Sequence, residues 1–145
     1  MSNLEKKNII VTGASGGLGH AIIKKLNEAG ANILASGTRI EKLEELKKKF
    51  EKIKILKFDI SQSDKIEEFI ENATIELGGS LDIIVNNAGI TQDNLAIRMK
   101  LDEWQKVIDI NLTSTFLMSK FAIKKMLKNK SGKNYKYYIS SWSYW

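Results

Sequence analysis

The sequence predicts a doubly wound α/β domain, a parallel sheet with helices on both faces. Short apolar runs of four or five residues recur along the chain, too short for helices, and read as buried strands. Segments of ten or more residues with helical apolar spacing separate them, the order that right-handed βαβ units produce. A glycine-rich turn follows the first run, at the place where open parallel sheets bind their ligands.

The elements follow in order. Asn8-Ile9-Ile10-Val11 is the first strand and residues 12–19 the turn. Residues 20–29 form a helix with Ala21, Ile22, Leu26 and Ala29 inward, stopped by Gly30 as a C-cap. Residues 32–36 form the second strand, and residues 41–50 a charged helix with Leu43, Leu46 and Phe50 on one face. The third strand is 54–58, ending at Asp59; the next helix is 64–77, with Ile66, Phe69, Ile70, Ala73 and Leu77 inward. The fourth strand is 81–85, ending at Asn86-Asn87-Ala88-Gly89. Residues 102–110 and 112–128 are helical, two helices or one long helix interrupted near Asn111.

Composition narrows the class. The 145 residues are 43% hydrophobic, which suits a packed domain and argues against disorder. The absence of cysteine excludes disulfides and thiolate metal sites, and the single His20 argues against a histidine-rich one, so no metal is expected. No apolar run approaches the ~20 residues of a membrane span, and the first residues lack a secretory pattern, so a cytoplasmic location and no membrane partner are expected. The net charge of +6 comes almost wholly from lysines spread along helices among glutamates. That pattern reads as a solvated surface rather than a nucleic-acid face, which clusters Arg with stacking aromatics. The end of the chain differs from the rest: all four tyrosines and two of the three tryptophans lie in residues 135–145, and proline is absent throughout.

The chemistry concentrates in Thr12-Gly13-Ala14-Ser15-Gly16-Gly17-Leu18-Gly19. Gly13 permits a tight turn, Gly17 admits a pyrophosphate close to the backbone, and Gly19 lets the helix pack near the sheet. The helix that starts here aims free N–H groups and its positive dipole end at the phosphates, with Ser15, Gly16 and Leu18 in the same cradle. The second strand ends Ala35-Ser36-Gly37-Thr38-Arg39 without an acid. An acid there would bond the ribose hydroxyls and repel a 2′-phosphate, whereas Thr38 and Arg39 offer a donor and a positive charge, which favours NADPH. His20, next to a helix N-terminus that disfavours its protonated form, reads as a surface or phosphate-edge residue.

The spacing Gly-x-x-x-Gly-x-Gly resembles the short-chain dehydrogenase/reductase family, and further landmarks follow in order. Asp59-Ile60 is similar to the pair that contacts the adenine, and Asn86-Asn87-Ala88-Gly89 to the family's Asn-Asn-Ala-Gly, adding Asn87, Ala88 and Gly89 to the cofactor set. Asn111 resembles the Asn of the catalytic tetrad, and residues 89–100 resemble the 3-oxoacyl-acyl-carrier-protein reductase branch. The resemblance runs from residue 5 to about residue 133. It implies a Rossmann-like fold, and NADPH-dependent reduction of a carrier-protein-linked 3-oxoacyl thioester to the 3-hydroxyacyl thioester. It also implies a homotetramer built on the long helix and the one after it. That next helix lies beyond these residues, so an exposed sheet edge and aggregation are expected instead. Lys124, Lys125, Lys128, Lys130 and Lys133 either dock an acidic carrier protein or form a solvated helix end.

The family's catalytic Tyr-x-x-x-Lys has no counterpart in the 145 residues. Ser141, with Ser140, stands near the position of the family's catalytic Ser. Residues 1–133 therefore read as the N-terminal part of the dinucleotide-binding domain, an incomplete doubly wound sheet, and residues 134–145 as an aberrant tail. Back-translated with A/T-rich codons and read one base later, residues 134–142 become Ile-Ile-Asn-Ile-Thr-Ser-Val-Val-Gly, the strand the family carries there. A frameshift after Lys133 is expected, with the true Ser where Ile139 stands; the coding DNA tests it. The alternative functions are an NADP-binding fragment without turnover, and a dehydrogenase acting on another carbonyl or alcohol.

Overall fold

Ile and Val, stiff at the β-carbon, dominate the apolar runs and set them as strands. In the computed structural model, which describes residues 4–128 and 132–136, these strands are β1 (Asn8–Val11), β2 (Asn32–Gly37), β3 (Lys54–Lys57), β4 (Ile83–Asn86) and β5 (Lys133–Lys136). They form one parallel sheet in the order β3-β2-β1-β4-β5. Ile10 sits opposite both Leu34 and Ile84, so a single residue level crosses the centre of the sheet.

Alternation along the strands divides the core in two. Ile9, Val11, Ile33, Ala35, Ile83 and Val85 face one side, where they meet Ile23, Leu43, Leu46 and Ile53. The first three of these come from helices α1 (Gly17–Glu28) and α2 (Ile40–Lys49). Ile10, Leu34 and Ile84 face the other side, against α3 (Ile66–Glu76) and α5 (Ser114–Lys128) through Phe69, Ile70, Ala73, Met118, Ala122 and Met126. Each large side chain buried this way is worth about 1.5–3 kcal/mol.

The predicted elements are all present, with displaced ends. Helix α1 starts three residues early, at Gly17, because Gly16 takes the extended N-cap conformation and the following glycines turn helical. Its buried side chain is Ile23; Ala21, predicted inward, is exposed, and Ile22 and Leu26 are half-buried. Gly30 ends the helix in the left-handed conformation (φ +79°) with its N–H on the Asn27 carbonyl. A 3-10 turn, Ser63–Lys65, precedes α3.

The long helix is continuous but mixed. Helix α4 (Leu101–Ile108) passes into a π-helical turn, Asp109–Thr113, which passes into α5. The predicted interruption near Asn111 is this π turn, an extra residue accommodated by i→i−5 bonding. The boundary predicted at residue 133 falls inside β5, whose backbone pairs in register with β4 through Lys136. Ser141, Ser140 and the rest of the tail from residue 137, with Lys130, lie outside the described residues. Two of the five lysines offered to a carrier protein are engaged within the fold: Lys124 pairs with Glu67 at 2.8 Å and Lys125 with Glu71. Among the described residues no helix is long and apolar enough to cross a membrane.

Candidate functional site

The sheet order reverses between β1 and β4, and the crevice outside the carboxyl ends of those strands is the ligand position of such sheets. A groove of about 340 Å³ lies there. All thirteen residues predicted to bind cofactor line it: Gly13, Ser15, Gly16, Gly17, Leu18, Gly19, Thr38, Arg39, Asp59, Ile60, Asn87, Ala88 and Gly89. Four separate strand ends deliver them, so their convergence is a property of the fold and not of one loop.

The turn after β1 is held by backbone contacts that leave no room for side chains. Gly13 has φ +64°, and a β-carbon there would lie 2.8 Å from the Ala88 backbone. One on Gly19 would lie 2.3 Å from the Gly13 carbonyl oxygen, so α1 rests directly on the turn. Gly17 differs: a β-carbon there meets nothing within 4 Å and would project into open space. Gly16 caps α1 with no side-chain hydrogen bond, which leaves first-turn N–H groups to a ligand.

Thr12, which opens the glycine motif but was given no role from sequence, ties this turn to the β4 end. Its buried hydroxyl accepts the N–H groups of Asn87 and Ala88, each at 3.1 Å, and donates to the Val85 carbonyl at 3.4 Å. Asn87 returns the contact, donating from Nδ2 to the Gly13 carbonyl at 3.1 Å. Its Oδ1, buried beside the groove, has no partner among the described residues. A hydroxyl at the end of a strand, immediately before a glycine turn, is the signal that could have found Thr12.

The β2 end is polar. Arg39 donates from Nη2 to the Ser15 carbonyl at 2.8 Å, which holds its guanidinium at the rim of the groove beside the glycine turn. Thr38 is exposed next to it. On the β3 side, Asp59 accepts the Ser61 N–H at 2.9 Å and Phe58 stacks on Phe69 with centroids 4.3 Å apart. Ser36, Gly37, Phe58, Ile90 and Ile110 also line the groove and were not read from the sequence.

Asn111 lies beside the groove on the π turn. Its side chain closes a two-bond clamp on Ile90, accepting the Ile90 N–H at 2.8 Å and donating to the Ile90 carbonyl at 2.7 Å. The geometry gives it a positioning task, fixing the strand end that follows Gly89. His20 is not in the groove lining; it packs edge-on against Phe50, 5.8 Å between centroids, above a shallow hollow shared with Lys42 and Lys49.

Comparison with known proteins matches this arrangement. The short chain dehydrogenase family profile matches residues 7–133. The 3-oxoacyl-acyl-carrier-protein reductase of Rickettsia conorii is 41% identical over 134 residues, 92% of this chain and 54% of that protein. The reductase of the same name from Vibrio cholerae is 39% identical over 132 residues, and nodulation protein G of a Rhizobium species 37% over 134. Among solved structures, a short-chain type dehydrogenase/reductase from Mycobacterium marinum superposes with a TM-score of 0.87 at 29% identity, covering 92% of this chain and 56% of that one. The chain thus spans about half the length of the curated relatives it matches. With a glycine turn, a strand order and a groove that all agree with that match, the chain belongs to the short-chain dehydrogenase/reductase family.

Proposed function

We propose that this chain supplies the cofactor-binding half of an oxidoreductase that uses NADPH on a carrier-protein-linked 3-oxoacyl thioester. The observation that carries the cofactor choice is the β2 end: Arg39 is tethered to the Ser15 carbonyl at the groove rim, and no acid stands between Gly37 and Ile40. A carboxylate at that point would repel a 2′-phosphate, whereas a fixed guanidinium attracts one.

The groove fits a dinucleotide. Open space over Gly17 and the uncapped first turn of α1 accommodate a pyrophosphate, and the buried Asn87 Oδ1, without a partner among the described residues, is an acceptor at the groove wall. When bound, the reduced nicotinamide supplies the hydride. The chain's own residues bind and orient: the glycine turn holds phosphates, Thr12 fixes the β4 end, and Asn111 fixes Ile90. Similarity to the Rickettsia and Vibrio reductases supports the substrate class. No Tyr-x-x-x-Lys occurs in the 145 residues, so the proton that must accompany hydride has no donor of the family type here. The proposed activity of the chain by itself is cofactor binding without turnover.

Titration of the 145-residue chain with NADPH and NADH, followed by calorimetry, tests the reading. NADPH is expected to bind about tenfold more tightly, and Arg39→Ala to remove that preference while changing NADH affinity less than about twofold. Equal affinities for the two cofactors overturn the NADPH assignment. Steady NADPH oxidation with a 3-oxoacyl thioester overturns the absence of turnover.

A further inference from the structure

The lip of the groove formed by Asp59 and Ile60 lies beyond the end of β3, where the sheet no longer pairs it. From the sheet side it is held by the Phe58 N–H, which donates to the Gly37 carbonyl at 3.0 Å. From the other side it is reached by a residue more than fifty positions away. Ser114, at the junction of the π turn and α5 and only 2% exposed, donates from its hydroxyl to the Ile60 carbonyl at 2.7 Å. The same hydroxyl lies 2.9 Å from the Asp109 carbonyl, but that carbonyl already accepts the Ser114 N–H in the π turn. The hydroxyl has one proton, and the Ile60 carbonyl is the nearer of the two acceptors.

We propose that Ser114 is a positioning residue for the base end of the cofactor groove, bolting the Asp59-Ile60 lip to the π turn. The inference rests on the groove being a dinucleotide site. The π turn then acts on two walls at once. Asn111 clamps Ile90 and Ser114 clamps Ile60, while Ile110, immediately before Asn111, lines the groove itself. An α-helical turn has one residue fewer over this span and would rotate these side chains by about 100° relative to α5. The irregular turn is what lets one short segment reach both walls. A base lying between the lip and Ile110 would be read through a gap whose width this bolt sets.

The test uses two partial ligands on the full chain, followed by amide NMR titration: 2′,5′-ADP, which carries the base, and inorganic pyrophosphate, which seats at the glycine turn without one. In Ser114→Ala, 2′,5′-ADP is expected to bind roughly fivefold more weakly, the size of one lost hydrogen bond, while pyrophosphate binding stays within about twofold of wild type. Ser114→Thr, which keeps the hydroxyl, is expected to recover at least half of the loss on a logarithmic scale. Should Ser114→Ala not fold, Ser114→Cys, with its weak donor, is expected to show the same split. Unchanged 2′,5′-ADP affinity, or equal weakening of both ligands, overturns the positioning role while leaving the dinucleotide site intact. Failure of the wild-type chain to bind either ligand overturns the dinucleotide reading, and the inference with it.

Discussion

Two stretches of the chain, one lining the groove and one running on past its Ile90 wall, are built in opposite ways. The turn from Thr12 to Gly19 is small residues and backbone: glycines in contact with carbonyls, one buried hydroxyl serving two N–H groups. The stretch from Thr91 through α4 is large and exposed, with Ile97 and Leu101 91% and 80% exposed and its order resting on a few polar contacts. The first stretch is over-determined, since each atom has one place to be. The second is anchored at its ends, by Asn111 on Ile90 and by Glu103 on the start of α4. Shape in the groove is therefore set by the first stretch, and the second is free to vary in side chain.

The contrast breaks most visibly at two glycines of the turn. Gly19→Ala places a methyl 2.3 Å from the Gly13 carbonyl, backbone that cannot swing aside. A loss of about 3 kcal/mol is expected, read as a fall in the thermal midpoint of about 10 °C. Gly17→Ala, two residues earlier, meets no atom within 4 Å. There stability is expected to hold or rise by up to ~0.5 kcal/mol, as Ala replaces Gly in a helix, while NADPH affinity falls about tenfold because the methyl occupies the phosphate cradle. Equal thermal shifts in the two variants would remove the distinction between packing glycine and ligand glycine.

That distinction is legible in the spacing Gly13, Gly17, Gly19, because only a strand-turn-helix with a ligand asks three glycines to do different tasks. The faces of the sheet were legible for a similar reason: Ile9 and Val11 against Ile10 is a period of two that admits one division into sides. The start of α1 was not legible, since glycine has a low helix propensity and a sequence reading leaves it in the turn. The expected face was also off, with Ala21 read inward where Ile23 is the buried side chain. Thr12 left a local trace and Ser114 none, because its partner Ile60 is distant in sequence and a serine in a helix carries no sign of what it will meet. Contacts made across the fold are where local pattern stops informing.

Within the exposed stretch, one carboxylate carries much of the order. Glu103 accepts the Lys100 N–H at 2.8 Å and lies 3.4 Å from Asn94 Nδ2. The Lys100 N–H above all, with Asn94 and Gln92, holds its carboxyl below the ordinary value of 4.5. A lowered folded value means that the charge stabilises the fold above the unfolded value, and that this contribution is lost as pH falls through the folded one. Glu103→Gln keeps a carbonyl acceptor without the charge, so it is indifferent to this titration. Denaturant midpoints of the two proteins are expected to differ slightly in favour of wild type at about pH 6, and to converge as pH falls below the ordinary 4.5 and through the lowered folded value. A difference that persists or grows in acid would show that the carboxylate's charge has no part in holding the start of α4.

The smallest effect belongs to the apolar side chains beside that carboxylate. Ile97 and Leu101 leave nearly all of their surface in water, so the folded chain gains almost nothing from their burial. Ile97→Ser and Leu101→Ser are expected to change unfolding free energy by no more than about 0.5 kcal/mol each, measured by urea denaturation at low protein concentration. The comparison predicts this neutrality, because the stretch is ordered through Glu103 and Asn111 and not through its large side chains. A loss above about 1 kcal/mol in either variant would mean that these side chains are buried in solution, since an exposed isoleucine or leucine has no packing energy of that size to lose. The exposed stretch would then be as closely determined by its surroundings as the glycine turn.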